Sequence, residues 1–401
     1  MKTPQDRNEP IAMMEPLRVP EGARHRAGLV DQALVLARES AALRAGVPGE
    51  MVAALADLVR AMNCYYSNLI EGHNTHPVDI ERALAEEYSD DARKRDLQVE
   101  ARSHIAVQRW IDTGALTGRA AEAEAVCEIH RRFCDHLPAE MLWVDDPESG
   151  VRLPLVPGAY RERDVQVGRH VPVSPGAIPR FIDRFQAGYT GLGPTDSILA
   201  AAAAHHRLLW IHPFLDGNGR VARLMSHAML LDSLDTGAIW SVARGLARNE
   251  GRYKALLAAC DLPRRNDLDG RGNLSEEALA EFTQFFLEVC LDQVRFMREL
   301  MQPDRLRARI LLWAEEEIRL GTLPPKSGAV LEAVLYRGQL PRGEVPGLLN
   351  MTDRHARRIT SVLLESGTLT SESSRAPLRL AFPARLAARW MPGLFPEKTG
   401  S

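Results

Sequence analysis

The chain has 401 residues, which is more than one hydrophobic core usually accommodates, so we expect two or three domains. Hydrophobic residues make up 45% and charged residues 26% of the chain, as in ordinary soluble globular proteins. The formal net charge of −3 excludes a chain that is basic throughout, as many dedicated nucleic-acid-binding proteins are, but it allows a local basic face.

Cysteine usage and apolar runs indicate a reduced, aqueous setting. The cysteines are odd in number, scattered and without a CxxC pair, so neither a disulfide framework nor a zinc ribbon is expected. They are Cys64, Cys127, Cys134, Cys260 and Cys290. The first 14 residues contain no apolar core of signal-peptide length, and no apolar run is long enough to cross a membrane. We therefore expect a cytoplasmic protein without membrane contact.

Helical spacing of apolar residues dominates the first three quarters of the chain, which is rich in alanine, leucine, arginine and glutamate. After an irregular start at 1–27, helices are predicted at 27–45, 50–70, 77–87, 92–113, 120–134, 178–185, 196–210, 217–231, 244–259 and 275–300. Between Pro147 and Val173 the pattern changes. Val165, Val167 and Val171 surround Gly168, which predicts a short β-hairpin or flap.

Beyond Gln302 the sequence is typical of a separate module. Helices are predicted at 304–320, 327–336, 341–349 and 353–365, followed by extended segments at 368–370 and 378–382. This order is that of a winged helix-turn-helix. The predicted division is therefore 1–115 (N-terminal helical region), 116–302 (catalytic core) and 303–401 (winged helix-turn-helix-like module).

One short run carries most of the chemistry in this sequence. Residues 212–220 read HPFLDGNGR, and Arg223 follows at the start of a predicted helix. Gly217 and Gly219 allow the backbone to approach a phosphate closely, and a helix N-terminus attracts anions. The run therefore predicts a polyphosphate-binding site.

The side chains in this run supply the remaining groups that polyphosphate chemistry requires. Arg220 and Arg223 are three residues apart, so they lie near one helix face and can bind phosphate oxygens together. Asp216 offers a hard oxygen ligand for Mg²⁺. His212 lies just before the helix, where its imidazole can accept a proton from an attacking hydroxyl.

The run resembles the signature of the Fic family, HxFx(D/E)GNGRxxR, and matches it at every specified position. The resemblance implies a mainly α, Fic-type helical bundle that transfers AMP from ATP to Ser, Thr or Tyr hydroxyls of target proteins. It implies that His212 is the catalytic base and Asp216 the Mg²⁺ ligand. It implies ATP contacts along the rest of the signature: Gly217, Asn218, Gly219, Arg220, Val221, Ala222 and Arg223.

A second segment resembles the inhibitory motif of the same family, (S/T)xxxE(G/N). It comprises Ser67, Glu71 and Gly72, and residues 67 and 71 share one helix face. The resemblance implies that Glu71 pairs with Arg223 and so denies this arginine to the γ-phosphate of ATP. We therefore expect an autoinhibited enzyme.

Residues 155–170 resemble the GxYR segment and the target-binding flap of the family. We expect nucleotide contacts from the flap and, further along the chain, from the region in which the family contacts adenosine. The predicted residues are Val167, Gly168, Arg169, His170, Asn249 and Tyr253. Where the family often has a Tyr-Tyr pair, this chain has Arg252 followed by Tyr253.

Two other functions stay open at this point. Glu71 could orient a water molecule that removes AMP from a modified protein, and the chain could be a DNA-binding regulator that only senses nucleotide. The predicted helix 353–365 carries Arg354, Arg357 and Arg358, which suit DNA binding as well as an ordinary solvated face. Self-modification and a homodimer also stay open.

Overall fold

The structure, a computed structural model, describes residues 4–146, 150–234 and 236–396. Part of the predicted flap region, residues 147–149, lies outside the described residues. The chain divides into two compact units. The first comprises residues within Met1–Ala41, Asn63–Thr236 and Ser241–Gln293, and the second those within Ala42–Met62, Gly237–Trp240 and Val294–Ser401.

Helices form most of the described chain up to residue 300, which confirms the mainly α prediction. They are α1 (Arg26–Gly46), α2 (Gly49–Ile70), α3 (Pro77–Leu84), α4 (Ala92–Trp110), α5 (Ala123–Asp135), α6 (Ile178–Tyr189), α7 (Pro194–Ile211), α8 (Asn218–Leu234), α9 (Val242–Arg248), α10 (Glu250–Cys260) and α11 (Glu276–Leu300). No helix of the described residues is both long and apolar enough to span a bilayer.

The core of the first unit is built around α7 and α8, which pack against each other along their length. Both helices are buried on nearly every face, as expected for central rather than surface helices. The alanine run 200–204 in α7 is small enough to let neighbouring helices approach closely. The loop that joins α7 to α8 carries the signature run, so a rigid pair of helices positions it.

The predicted helix 244–259 is wrong in one respect, because it is two helices. Asn249 has non-helical dihedral angles between α9 and α10, and its Nδ2 donates to the carbonyl of Gly245 at 2.9 Å. This side-chain bond competes with the helical backbone bonds, as asparagine often does.

The flap region also differs from the prediction. Its antiparallel strands are β1 (Trp143–Asp145) and β2 (Arg152–Pro154), which lie before the valines that suggested extended backbone. Around Gly168 only a single bridge forms, between Val167 and His170, with Gly168 at a φ of 60°. The valines therefore mark a tight two-residue turn rather than paired strands.

The second unit contains α12 (Pro303–Leu320), α13 (Ser327–Arg337), α14 (Val345–Leu349), α15 (Asp353–Glu365) and α16 (Ala387–Trp390), with strands β3 (Gln339–Leu340), β4 (Leu369–Thr370) and β5 (Leu378–Leu380). The strands form an antiparallel sheet in the order β3-β5-β4. Trp390 is buried against Trp313, with ring centroids 5.2 Å apart. In α15, Ala356, Ile359 and Leu363 are buried, so its arginines lie on the exposed face.

Candidate active site

His212 ends α7 in a left-handed conformation, with φ 51° and ψ 62°. Its N–H donates to the carbonyl of Leu208 at 3.0 Å, and Pro213 cannot continue the helix. A non-glycine residue in this region costs about 1 kcal/mol, and such strain often occurs at functional sites. The backbone thus turns sharply at His212, and the imidazole leaves the helix at its end.

Arg161 holds this turn in place. Arg161 is only 4% exposed, and its guanidinium donates from Nε to the carbonyl of His212 at 2.8 Å and from Nη2 to the carbonyl of Val173 at 2.6 Å. Its backbone N–H donates to the carbonyl of Pro213 at 2.9 Å. One buried cation therefore ties the end of α7 to the flap region, although its burial lowers the pKa of Arg161 to about 10.

The environment of His212 keeps its imidazole neutral at physiological pH. Burial lowers the pKa of His212 to about 4, and the positive charge of Arg161 acts in the same direction. The ring Nδ1 lies 3.2 Å from the carbonyl of Leu209. If Nδ1 carries the proton and donates to this carbonyl, Nε2 has a free lone pair and can act as a base.

Asn218 shapes the loop between the two helices. Its Oδ1 accepts from the N–H of Phe214 at 3.0 Å, and its Nδ2 donates to the carbonyl of Phe214 at 2.8 Å. Gly217 has a φ of 81°, a conformation that favours glycine. The two polar groups of the buried Asn218 side chain therefore close the loop, and Asn218 is also the first residue of α8.

The N-terminus of α8 offers backbone donors to an anion. The amides of its first turn have no acceptor within the helix, and the helix dipole places partial positive charge there. Gly219 lies in this turn, and a Cβ at its position would collide with the carboxylate of Glu71. A carboxylate thus occupies the place at which an anionic group would meet the helix end.

Glu71 reaches this place because its carboxylate pairs with Arg223. The arginine also donates from Nε to Oγ of Ser67 at 2.9 Å and from Nη2 to the carbonyl of Ser67 at 3.3 Å. Burial works to raise the pKa of Glu71, but Arg223 outweighs it and holds the pKa below its usual value. The ion pair expected from the sequence is therefore present in the structure.

Arg220 makes a different pair, which the sequence did not indicate. Its Nη2 lies 3.0 Å from Oε2 of Glu100 in α4, and its guanidinium lies over the ring of Phe133, 5.1 Å from the centroid. Both partners are largely buried, with side-chain exposures of 7% for Arg220 and 15% for Glu100. The two signature arginines are thus each paired with a different carboxylate.

Known proteins resemble this chain in sequence and in fold. Residues 120–230 match the profile of the Fic/DOC family. The chain carries a Fic domain. Over 169 residues it is 27% identical to the protein adenylyltransferase Fic of Drosophila erecta, a match that covers 42% of this chain and 31% of that protein. Over 172 residues it is 29% identical to the protein of the same name from Drosophila willistoni, with the same coverage.

These matches span less than a third of the length of the curated relatives. Solved structures extend the likeness in fold. A Fic family protein from Desulfovibrio desulfuricans aligns with a TM-score of 0.52 at 16% identity and covers 91% of this chain and 98% of its own. A Fic-domain-containing signaling protein from Bacteroides thetaiotaomicron aligns with a TM-score of 0.50 at 18% identity and covers 67% and 96%. The helical bundle of this chain therefore has a Fic fold.

Within the Fic domain, Asp216 is exposed at the end of the signature loop. Its carboxylate makes no ion pair or hydrogen bond with other side chains in the described ranges. Mg²⁺ is commonly held by one carboxylate together with phosphate oxygens and water, so this single free carboxylate fits such an ion. The described residues contain no cluster of three metal-ligating side chains.

The predicted flap contacts of the Fic domain lie in the turn around Gly168. Val167, Gly168 and Arg169 are exposed, and Nε2 of His170 lies 2.7 Å from the carbonyl of Trp210 in α7. This bond ties the turn to the helix that ends at His212. Their contact with a nucleotide stays a prediction.

Three of the remaining predicted ATP contacts are buried, and one is exposed. Val221 and Ala222 are buried in α8, so only their backbone could meet a nucleotide. Tyr253 is 2% exposed, and its hydroxyl lies 2.7 Å from Nε2 of His205. Asn249 is exposed and bonds to the backbone of α9. Adenosine contacts from Asn249 and Tyr253 stay predictions.

Sequence reasoning missed a histidine beneath the signature loop. The ring of His130 stacks on Phe214 with centroids 4.0 Å apart, and its Nδ1 accepts from the N–H of Gly158 at 2.9 Å. Burial lowers the pKa of His130 to about 4, so it is neutral here. The only signal in the sequence was the position of His130 on the buried face of the predicted helix 120–134. Nothing in the sequence indicated its contact with the signature loop.

Proposed function

We propose that this chain is a protein adenylyltransferase that moves AMP from ATP to a Ser, Thr or Tyr hydroxyl of a target protein and is restrained by Glu71. The observation that carries the proposal is the pairing of Glu71 with Arg223 at the N-terminus of α8, beside a complete signature loop. The names of the Drosophila relatives support the reaction class.

In the proposed reaction, Nε2 of neutral His212 accepts the proton of the target hydroxyl. The hydroxyl oxygen forms a bond to the α-phosphorus of ATP, and the bond from that phosphorus to the bridging oxygen of the β-phosphate breaks. Pyrophosphate leaves with the electron pair, and AMP stays on the target. Burial favours this role because it keeps the imidazole unprotonated.

The amides of the first turn of α8 bind phosphate oxygens, and the signature arginines neutralise their charge. Asp216 would hold Mg²⁺, which supplies further charge neutralisation along the phosphates when it is bound. Donors that are fixed in advance stabilise developing charge without reorganisation, which is the largest contribution in many enzymes.

The restraint follows from competition for the same donors. Arg223 is 3% exposed and donates to Ser67 and Glu71, so a γ-phosphate can take the place of Glu71 on this arginine only after Glu71 leaves. The carboxylate also lies against Gly219, where it repels an incoming phosphate. ATP would therefore bind in a pose that does not support transfer.

The proposal is tested with Glu71→Gly protein, ATP labelled at the α-phosphate, and a bacterial lysate or the protein itself as target. We expect strong protein labelling for Glu71→Gly, weak labelling for the unaltered protein, and a mass increase that corresponds to AMP. ATP labelled at the γ-phosphate should give no protein label. Absence of label from the α-phosphate in the Glu71→Gly protein contradicts the proposal.

The matched control carries both Glu71→Gly and His212→Ala. Removal of the base should abolish labelling while ATP still binds, because the phosphate donors are unchanged. Equal labelling with and without His212 would assign the proton transfer to another group.

One observation favours removal of AMP as a second function. The side chain of Glu71 is 34% exposed, and its carboxylate lies beside the N-terminus of α8, where it could orient a water molecule. A target that already carries AMP separates the two functions in a time course. Loss of AMP with unaltered protein, but not with Glu71→Gly, would support removal.

We also propose that residues 303–401 form a winged helix-turn-helix module. The helix pair α14 and α15 and the sheet order β3-β5-β4 support this assignment. Arg354, Arg357 and Arg358 are exposed on α15, where they could contact DNA or another protein. A mobility-shift assay with random duplex DNA at low and high salt tests the DNA role. Binding at low salt that is lost at high salt would support phosphate contacts, because these weaken steeply with salt, and no binding at low salt would favour contact with a protein.

A further inference from the structure

A histidine directly after the inhibitory motif bonds to a buried carboxylate on another helix. Nδ1 of His73 lies 3.1 Å from Oε2 of Glu100, and the same oxygen accepts from Nη2 of Arg220 at 3.0 Å. His73 follows Gly72, and Glu100 belongs to α4. Three separate parts of the first unit therefore meet at one carboxylate.

The backbone of His73 closes the end of α2. Its N–H donates to the carbonyl of Asn68 at 2.9 Å, and the N–H of Gly72 donates to the carbonyl of Leu69 at 3.0 Å. Glu71 lies inside this closing turn. A contact that fixes the side chain of His73 therefore also stabilises the turn from which Glu71 reaches Arg223.

We infer that His73 and Glu100 form a clasp that keeps the end of α2, and with it Glu71, against the phosphate-binding site. This inference rests on the proposed restraint by Glu71. His73 is a positioning residue in this arrangement, since its Nδ1 lies 3.1 Å from Oε2 of Glu100 and 3.4 Å from Nη2 of Arg220 and acts through these two side chains.

Glu100 is suited to be the fixed side of the clasp. Its side chain is 15% exposed, and its bond to Arg220 is reinforced by the contact of that guanidinium with Phe133. His73, by contrast, is 39% exposed. The bond between His73 and Glu100 is therefore the part of the network that can open to solvent without disrupting the core.

The charged groups around His73 make the clasp dependent on pH. Glu100 from α4, Arg220 from α8 and Glu71 from the end of α2 face it. The hydrogen bond to Glu100 raises the pKa of His73 above its usual value, because a carboxylate stabilises the imidazolium. The clasp is therefore tightest below this raised pKa and loosens as pH rises through it.

The inference is tested by two measurements on full-length unaltered and His73→Ala proteins. The first is hydrogen exchange of the backbone amides of residues 71–73, and the second is AMP transfer from ATP labelled at the α-phosphate. Loss of a half-exposed charged bond should speed exchange and raise transfer by about five-fold each. In the Glu71→Gly background, His73→Ala should change transfer little, because no restraint is left to release.

Two further variants serve as controls. His76→Ala removes an exposed histidine of the same loop whose side chain makes no capping bond, so exchange and transfer should match the unaltered protein. His73→Gln keeps a neutral donor, so part of the protection should remain. The protection factor, which is the exchange rate relative to that of an unstructured peptide at the same pH, should no longer depend on pH between about pH 6 and pH 8.

Unchanged exchange at residues 71–73 in His73→Ala overturns the clasp. An equal rise in transfer with and without Glu71 also overturns it, since His73 would then act on the reaction rather than on the restraint. If Glu71→Gly shows no transfer at all, the proposed function fails, and the exchange measurement alone still decides whether the clasp exists.

Discussion

The guanidinium of Arg223 donates to the hydroxyl of Ser67 at 2.9 Å and to the backbone carbonyl of Ser67 at 3.3 Å. The same guanidinium forms an ion pair with Glu71. Ser67 lies in the last turn of α2 and Glu71 directly follows the end of this helix, four residues later, so both residues reach Arg223 in α8. The arginine is thus held at two points, one in α2 and one in the turn that closes it. Release of Glu71 alone leaves Arg223 anchored by Ser67 and able to turn its other donors toward a phosphate.

Ser67→Ala should partly release the restraint. Removal of one buried hydrogen bond weakens the hold on Arg223 by about 1 kcal/mol, so we expect AMP transfer to rise about five-fold, well below the effect of Glu71→Gly. Initial rates with labelled ATP measure this. The control is Ser197→Ala in α7, whose hydroxyl bonds to the carbonyl of Leu192. A rate equal to the unaltered protein would mean that Ser67 contributes nothing to the restraint.

The pH dependence of turnover should reflect the low pKa of His212. Because burial lowers this pKa to about 4, the base is already neutral at pH 5.5. In the Glu71→Gly protein, which lacks the restraint, kcat should therefore change little between about pH 5.5 and pH 8. A rate that falls by half near pH 6.5 on acidification would show that His212 titrates as an ordinary exposed histidine.

Release of the restraint by acid should require low pH. The folded pKa of Glu71 lies below its usual value, so the stabilising pair with Arg223 is fully present above the ordinary pKa and is lost only as pH falls through the lowered one. The ratio of rates for Glu71→Gly and unaltered protein should therefore not shrink between about pH 7 and pH 5.5. Convergence of the two rates in this range would contradict the assignment.

The local parts of the site could be predicted from the sequence. His212, Asp216 and Arg223 lie within twelve residues at the end of α7, in the following loop and near the start of α8, so the sequence pattern is enough to place them in one region. The pair of Arg223 with Glu71 bridges 152 positions, and only the family resemblance indicated it.

Contacts without such a motif were not predictable. Arg220 meets Glu100 across 120 positions, and Arg161 meets His212 across 51. The packing of segments that are distant in sequence creates these pairs, and no local sequence pattern indicates them. The flap was misplaced because alternating valines also suit a tight turn, and the burial of Tyr253 could not be read from its place after Arg252.

Arg161→Met should impair catalysis by releasing the turn at His212. The variant removes the donor to the carbonyl of His212, and a small displacement of a catalytic group can cost about 100-fold in rate. In the Glu71→Gly background we expect kcat to fall by about this factor while KM for ATP changes much less. Arg163→Met, on an exposed neighbour, should change neither. A loss confined to KM would instead place Arg161 in nucleotide binding.

Asn218→Ala should destabilise the Fic domain through the loop that Asn218 closes. The variant leaves the buried N–H and carbonyl of Phe214 without their partners, at a cost of about 2 kcal/mol or more. The midpoint of thermal unfolding should therefore fall by about 4–8 °C. Asn249→Ala is the matched control, because this exposed side chain donates one hydrogen bond at the end of α9, and its midpoint should change by less than about 2 °C. Equal midpoints for the two variants would show that solvent or a rearranged loop satisfies Phe214, and the closure of the signature loop by Asn218 would then not stabilise the fold.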